Sequence, residues 1–239
     1  MTHGIYAAGG AMALLELRQE VTANNLANAS TTGFRRDLVA AREAAPGESP
    51  LRRGSLALGI LDTRAVLETG SIRQTGNPAD LAISGDGFFV IQADEGSFLT
   101  RAGGFQRSAT GEMVNEAGER LQGESGPIRL EKDAFQVARD GSVIVDGNVV
   151  GTIRLVSPPA GASLRKAGNG RFEQPPGGAG SRPQNGEILQ GYLEGSNVNA
   201  IREMISLVEA FRSYEANAKS IQTEDQILGQ AVNQVGRVG

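Results

Sequence analysis

The chain has no cysteine, no tryptophan and a single histidine, His3. Without cysteine there are no disulfides, no thiolate metal sites and no cysteine nucleophile. One histidine rules out a histidine-rich metal site, and a Ser-His-Asp triad would have to use His3, in a segment expected to fray. Aromatic residues are scarce, with 3 Tyr and 8 Phe, so no aromatic-lined cleft of the kind a glycosidase uses is suggested. A carboxylate-based enzyme would need only acids. Its candidates, Asp140 and Asp146, each precede a glycine and read better as turn residues. Gly85 and Gly87 are not followed by Gly-Lys-Ser/Thr, so they make no phosphate loop. The net charge of -4 offers no basic field for nucleic acid and no polybasic patch for a membrane. No run of about 18 apolar residues is present, so no transmembrane helix is expected. The opening Met1-Thr2-His3-Gly4 lacks a cationic stretch followed by an apolar one, so no cleaved secretory signal is expected. No catalytic residue, cofactor or metal is expected.

Glycine is what the chain has in excess, 33 of 239 residues, roughly twice the ordinary share. That suits many tight turns. The length allows one or two domains with a sizeable core.

The two ends are helical in pattern. Ile5, Ala8, Met12 and Leu15 fall on one helical stripe and Leu14, Leu17 and Val21 on an adjacent one, with Glu16, Arg18, Gln19 and Glu20 opposite. At the other end, Met204, Phe211, Ala218, Asp225 and Val232 form one row and Leu207, Tyr214, Ile221, Leu228 and Val235 another. The steps alternate three and four, and only Asp225 breaks the apolar pattern. From Ala200 to Val235 there is no proline and only Gly229, which predicts a helix roughly 50 Å long. Such a helix needs a partner, either another chain or the amino-terminal helix.

The middle reads as short antiparallel strands closed by glycine turns. Phe88-Phe89-Val90-Ile91 follows Asp86-Gly87, and Phe98-Leu99-Thr100 and Met113-Val114 follow in turn. Phe135-Gln136-Val137-Ala138 leads to Asp140-Gly141, and Ser142-Val143-Ile144-Val145 leads to Asp146-Gly147. Val149-Val150 and Ile153-Arg154-Leu155-Val156 close the series. Pro158-Pro159 and the Pro175-Pro176-Gly177-Gly178 stretch read as loops. The expected class is α+β: long terminal helices forming a coiled-coil-like layer, with a central antiparallel β domain, sandwich or barrel-like. The expected segments are an amino-terminal helix and Asn-rich motif at 1–33, an extended connector at 34–69, the β domain at 70–190 and the long helix region at 191–239.

Two motifs flank the helices. Asn24-Asn25-Leu26-Ala27-Asn28-Ala29-Ser30-Thr31-Thr32-Gly33-Phe34-Arg35 reads locally as a helix stop, Gly33 supplying a positive φ. A sharper reading has its amides meet a neighbouring subunit and set register. Leu193-Glu194-Gly195-Ser196-Asn197-Val198-Asn199 precedes the long helix. Asn199 fits an N-cap, and Glu203 stands near the positive end of the helix dipole.

Taken together these motifs resemble the bacterial flagellar rod, hook and hook-filament axial family. The amino-terminal signature is similar to Asn24-Asn25-Leu26-Ala27-Asn28 followed by Thr32-Gly33-Phe34, and the carboxy-terminal one to Glu194-Gly195-Ser196-Asn197-Val198. A third segment runs from Asn77-Pro78-Ala79-Asp80-Leu81 to Gly87-Phe88-Phe89. A fourth contains Leu99-Thr100-Arg101-Ala102-Gly103-Gly104-Phe105 and then Gly111-Glu112-Met113-Val114. All four stand in the family's order. The Gly4-Ile5-Tyr6 opening and the short stretch between Phe34 and Asn77 look more like the proximal-rod branch than the distal-rod or hook branches.

The resemblance implies a structural subunit of the basal-body rod in the periplasm. It implies export, unfolded and without a cleaved signal, through the flagellar type III apparatus, and assembly beneath a rod cap. Partners would be itself and other rod subunits, with neither nucleic acid nor membrane insertion. The terminal helices would pair as an inner layer and the β domain would form an outer one. The assembly interface is expected at Leu14, Leu17, Val21, Asn24, Asn25, Asn28, Asn197, Asn199, Met204, Leu207, Phe211, Tyr214, Ala218, Ile221 and Leu228. A non-flagellar coiled-coil adaptor would explain the long helix but leave the Asn motif without a role.

Overall fold

The computed structural model describes residues 2–42, 60–159, 164–175 and 180–235. They form two compact units. The helical unit takes Met1–Ala27, Asp37–Arg64 and Asn199–Gly239, and the β unit takes Asn28–Arg36 and Ala65–Val198.

In the helical unit, helix α1 spans Thr2–Ala27 and helix α2 spans Ala200–Val235. Both lack proline, and the two pack against each other. Asn199 starts α2 as expected: its Oδ1 accepts the Arg202 N–H at 3.0 Å, filling one of the donors that a helix start leaves open. Within the expected connector, strands Asp37–Arg42 and Ile60–Ala65 pair with each other, so part of it is a sheet. Pro46, Gly47, Pro50 and Gly54 lie outside the described residues.

The β unit is antiparallel throughout its described pairs. The larger sheet runs Lys166–Gly168, Arg171–Glu173, Gly96–Thr100, Phe88–Ala93, Arg120–Gly123, Met113–Asn115, Phe105–Arg107. Gly126–Pro127 joins Arg120–Gly123, and Leu155–Val156 joins Phe88–Ala93. A smaller sheet holds Gln136–Val137, Ser142–Val145 and Asn148–Thr152. Asp146 and Gly147 both have positive φ, 51° and 81°, which makes the two-residue hairpin turn the sequence predicts there.

The Phe88–Ala93 strand explains the core. Successive side chains of a strand point to opposite faces. Phe89 and Ile91 enter a cluster with Leu81, Ile83, Met113, Leu121, Ile153 and Ile188, while Phe88 and Val90 enter a second with Leu99, Val156, Leu164 and Phe172. Phe88 meets Phe172 edge-on at 5.6 Å, and Phe89 meets Phe105 at 5.5 Å. A strand buried on both faces is a continuous apolar run, which is why it was legible.

Long-range closure was not legible. Leu81–Ser84 pairs with Glu187–Gln190, and Ile72–Gln74 pairs with Tyr192–Glu194. The β unit therefore depends on strands that are joined only after more than a hundred intervening residues.

Candidate functional site where the terminal signatures meet

The two terminal signatures are joined in the β unit by ion pairs and backbone bonds. The Gly33 N–H donates to the Glu194 carbonyl at 2.8 Å. Gly33 has φ of +68°, and a Cβ there would lie 2.4 Å from the Ala102 backbone nitrogen. Glycine is thus required twice over, by conformation and by space. The close approach brings Arg35 to Glu194.

Glu194 is wholly buried between two guanidiniums. Arg35 Nη2 donates to its Oε1 at 2.6 Å and Arg101 Nη1 to its Oε2 at 3.1 Å. The Gly70 N–H adds a 2.8 Å bond to Oε1. Arg101 also donates to the carbonyls of Ile83 and Gly85, at 3.1 and 2.7 Å. Burial pushes Arg101 down to about 10, Arg35 pushes the same way, and Glu194 and Asp86 oppose them. Arg101 is still charged at neutral pH. Two guanidiniums against one carboxylate leave one positive charge in excess. Consistent with that, Nε and Nη1 of Arg35 and Nε of Arg101 are buried with no hydrogen-bond partner among the described residues. A carboxylate sealed in this way has no route to a substrate. Its chemistry is that of a clamp.

Asn197 ties three chain segments nearby. Its Oδ1 accepts the Arg36 N–H at 2.7 Å, and its Nδ2 donates to the carbonyls of Val66 and Glu68 at 3.0 and 2.9 Å. The amide stands in for a strand residue, accepting on one side and donating on the other. The Lys166 ammonium sits 4.0 Å from the Phe34 ring centroid and also donates to the Arg35 carbonyl.

In the helical unit Asn25 plays the same part. It is 1 % exposed; its Oδ1 accepts the Asp37 N–H at 2.8 Å and its Nδ2 donates to the Asp37 carbonyl at 2.9 Å. The Nδ2 also reaches Glu203 Oε2 at 3.5 Å. The amides of Asn25 and Asn197 are therefore used within the chain. Asn28 holds the turn after α1, receiving Thr31 Oγ1 at 3.2 Å. Asn24 lies on the exposed side of α1.

The long helix shows two faces. Glu203 and Ala210 are buried, and Leu207, Tyr214, Ala218 and Ile221 are half-buried. The covered residues are therefore Glu203, Leu207, Ala210, Tyr214, Ala218 and Ile221, of which Leu207, Tyr214, Ala218 and Ile221 lie on the expected rows. Met204 and Phe211 are 52 % and 53 % exposed. They line up with Ile201, Ile205 and Val208, each half exposed or more. On α1, Val21 is buried and Leu14 and Leu17 are half-buried. Leu228 belongs to α2, and its side chain lies outside the described residues, as does that of His3.

Glu194, Arg35 and Arg101 are the residues that sequence reasoning passed over as a set. Arg35, Arg101 and Glu194 each stand inside a quoted motif. A lone charge among glycines and apolar residues, as in Tyr192-Leu193-Glu194-Gly195, was the available signal. The candidate enzymatic aspartates serve turns and pairs: Asp140 accepts from the Ser142 N–H and hydroxyl, and Asp146 pairs with Lys132.

Three family models match the chain. Residues 5–35 match "Flagella basal body rod protein", 82–148 match "Flagellar hook protein FlgE/F/G D1 domain", and 189–235 match "Flagellar basal body rod FlgEFG protein C-terminal". Each clamp residue falls in a different one of these segments. The flagellar basal-body rod protein FlgF of Caulobacter vibrioides is 32 % identical over 244 residues, covering 100 % of both chains. FlgF of Escherichia coli is 33 % identical over 97 % of each. FlgG of Agrobacterium fabrum is 33 % identical over 87 % of this chain and 90 % of its own. The chain belongs to the flagellar basal-body rod protein family, whose members are structural components of the flagellum.

Proposed function

We propose that the chain is an FlgF-like subunit of the proximal rod, polymerising through its terminal helices into the shaft that crosses the periplasm. The observation that carries this is the row Ile201, Met204, Ile205, Val208 and Phe211, which leaves at least half of each side chain in water on a helix whose other face is already covered. Contact with neighbouring copies would remove that surface, at a gain on the order of 5 kcal/mol per subunit. In this reading α1 and α2 form a coiled-coil-like inner layer, assembly supplies the missing neighbours, and the β unit forms the outer layer. Partners are itself, other rod subunits and, during assembly, the type III export apparatus and rod cap. No described helix is long and apolar enough to cross a membrane. The short stretch between Phe34 and Asn77 supports the proximal position.

The competing reading is a distal-rod subunit, favoured by FlgG relatives of equal identity. Electron microscopy of isolated basal bodies carrying a labelled copy of this chain distinguishes them. Label at the inner-membrane end of the rod supports the proximal assignment, label along the outer part moves it to the distal rod, and absence from the rod overturns both.

A further inference from the structure

The clamp is built from segments far apart in the chain, and its charges are unequal. Before Glu194 is seated, Arg101 has two carbonyl acceptors, at Ile83 and Gly85, and the charge of Asp86 nearby, but no carboxylate bonded to it among the described residues. A buried cation without a directly paired carboxylate opposes closure. Seating Glu194 makes a neutral pair with Arg101. Adding Arg35 then brings a second cation to a carboxylate that already has one, and leaves two of Arg35's nitrogens buried without partners. Glu194 is therefore the group the β unit needs, and Arg35 is the group that joins a unit already complete in charge.

Packing points the same way. Leu81 and Ile83 are fully buried core residues whose strand pairs with Glu187–Gln190, and Ile188 shares their cluster. Gln190 adds side-chain bonds to the Val137 N–H and the Pro78 and Phe135 carbonyls. The carboxy-terminal strands are thus part of the core. Gly33–Arg36 belongs to no strand; it is held by backbone bonds, by the Asn197 and Lys166 side chains, and by buried Phe34 and Arg35.

We infer that the β unit closes in a fixed order: the Glu187–Glu194 strands seat first, with Glu194 on Arg101, and the Gly33–Arg36 segment docks last, as a strap that opens alone while the rest stays closed. This rests on the proposed role in one respect only: a chain that must be threaded unfolded benefits from a unit that stays open until residue 194 is in place. The folding order itself is independent of that role.

The test is native-state hydrogen exchange by mass spectrometry on the full chain, following peptides covering 28–37, 81–92 and 187–197. In the wild type, 28–37 should exchange through an opening with weak urea dependence, while 81–92 and 187–197 exchange together through a larger, urea-sensitive one. Arg35→Met should speed exchange in 28–37 by roughly tenfold or more while keeping its weak urea dependence, and should speed the other two by no more than that same factor, because the larger opening also releases the strap. Glu194→Gln should release all three together. The inference is overturned if Arg35→Met gives 28–37 the larger urea dependence of the other two, or if 28–37 and 187–197 share one urea dependence in the wild type. The wild-type comparison decides the matter even where Glu194→Gln does not fold. A failure of the rod assignment would leave these exchange results unchanged.

Discussion

Arg35 and Glu194, 159 residues apart in the chain, meet at 2.6 Å with neither side chain exposed to water. Such a pair is weak as a source of net stability and strong as a constraint. Removing Glu194 would leave two buried guanidiniums without their shared carboxylate, at a cost of about 3–5 kcal/mol, whereas removing Arg35 leaves Glu194 paired with Arg101. Here the constraint fixes the segments that follow α1 and precede α2 to one carboxylate.

Gly33→Ala should destabilise the β unit by at least about 2 kcal/mol. A left-handed conformation alone costs a residue with a Cβ about 1–2 kcal/mol. The added methyl would also strike the Ala102 backbone at 2.4 Å, and backbone gives way less readily than a side chain. Urea unfolding of the full chain, followed by β-sheet signal, measures it. An unchanged midpoint would mean that the Gly33 contact with residues 101 and 102 is not formed in solution.

Asn197→Asp keeps the shape and reverses the chemistry. Two carbonyl oxygens, of Val66 and Glu68, now face the amide's donors. A carboxylate there repels both, and the variant should lose about 1–3 kcal/mol at neutral pH. The new carboxyl's folded pKa is raised above its unfolded value, because only its protonated form can donate. The deficit is thus full above the folded pKa and shrinks as pH falls toward the unfolded one. Unfolding midpoints at pH 7 and pH 4.5 check the sign: the gap to wild type must narrow at the lower pH.

Asp140 offers a second pH measurement. The Ser142 N–H, followed by the Ser142 hydroxyl, holds its carboxyl below the ordinary 3.8. A lowered folded pKa contributes stability that is present above the unfolded value and lost as pH falls through the folded one. Carboxyl NMR titration should place Asp140 below ordinary aspartate. Ser142→Ala should move it part of the way back, since the larger backbone bond remains.

What the sequence made legible was whatever is periodic or local. The apolar run Phe88–Ile91, the Asp146-Gly147 turn, the Asn199 cap and the two terminal helices all follow from neighbours within a few residues. The clamp does not, because nothing near Glu194 in the chain says that Arg35 and Arg101 will surround it. Asn25 shows the same limit. Its motif read as a helix stop or as a subunit contact, and nothing local to it showed that the amide bonds the Asp37 backbone and reaches Glu203 within the chain. Which apolar face of α2 is covered within the chain was not legible for a related reason. A heptad rhythm fixes the spacing of a seam, and with Ile201, Met204, Ile205, Val208 and Phe211 also apolar the helix carries two candidate stripes.

Those two stripes give the sharpest test of the proposed assembly. Leu207 is half-buried on the covered side of α2, and Phe211 is more than half exposed on the other. Leu207→Asp puts a charge against packed apolar surface and should destabilise the helical unit of the free monomer. Phe211→Asp puts it in water, so the monomer's thermal unfolding should stay within about 0.5 kcal/mol of wild type. In cells the same Phe211→Asp should abolish rod growth and motility, because assembly would have to bury that charge. Circular dichroism of purified monomer and electron microscopy of basal bodies supply the two readouts. A Phe211→Asp strain that swims and builds normal rods would remove the exposed row from the assembly contact. A monomer that unfolds on this substitution would show that Phe211 is already used within the chain.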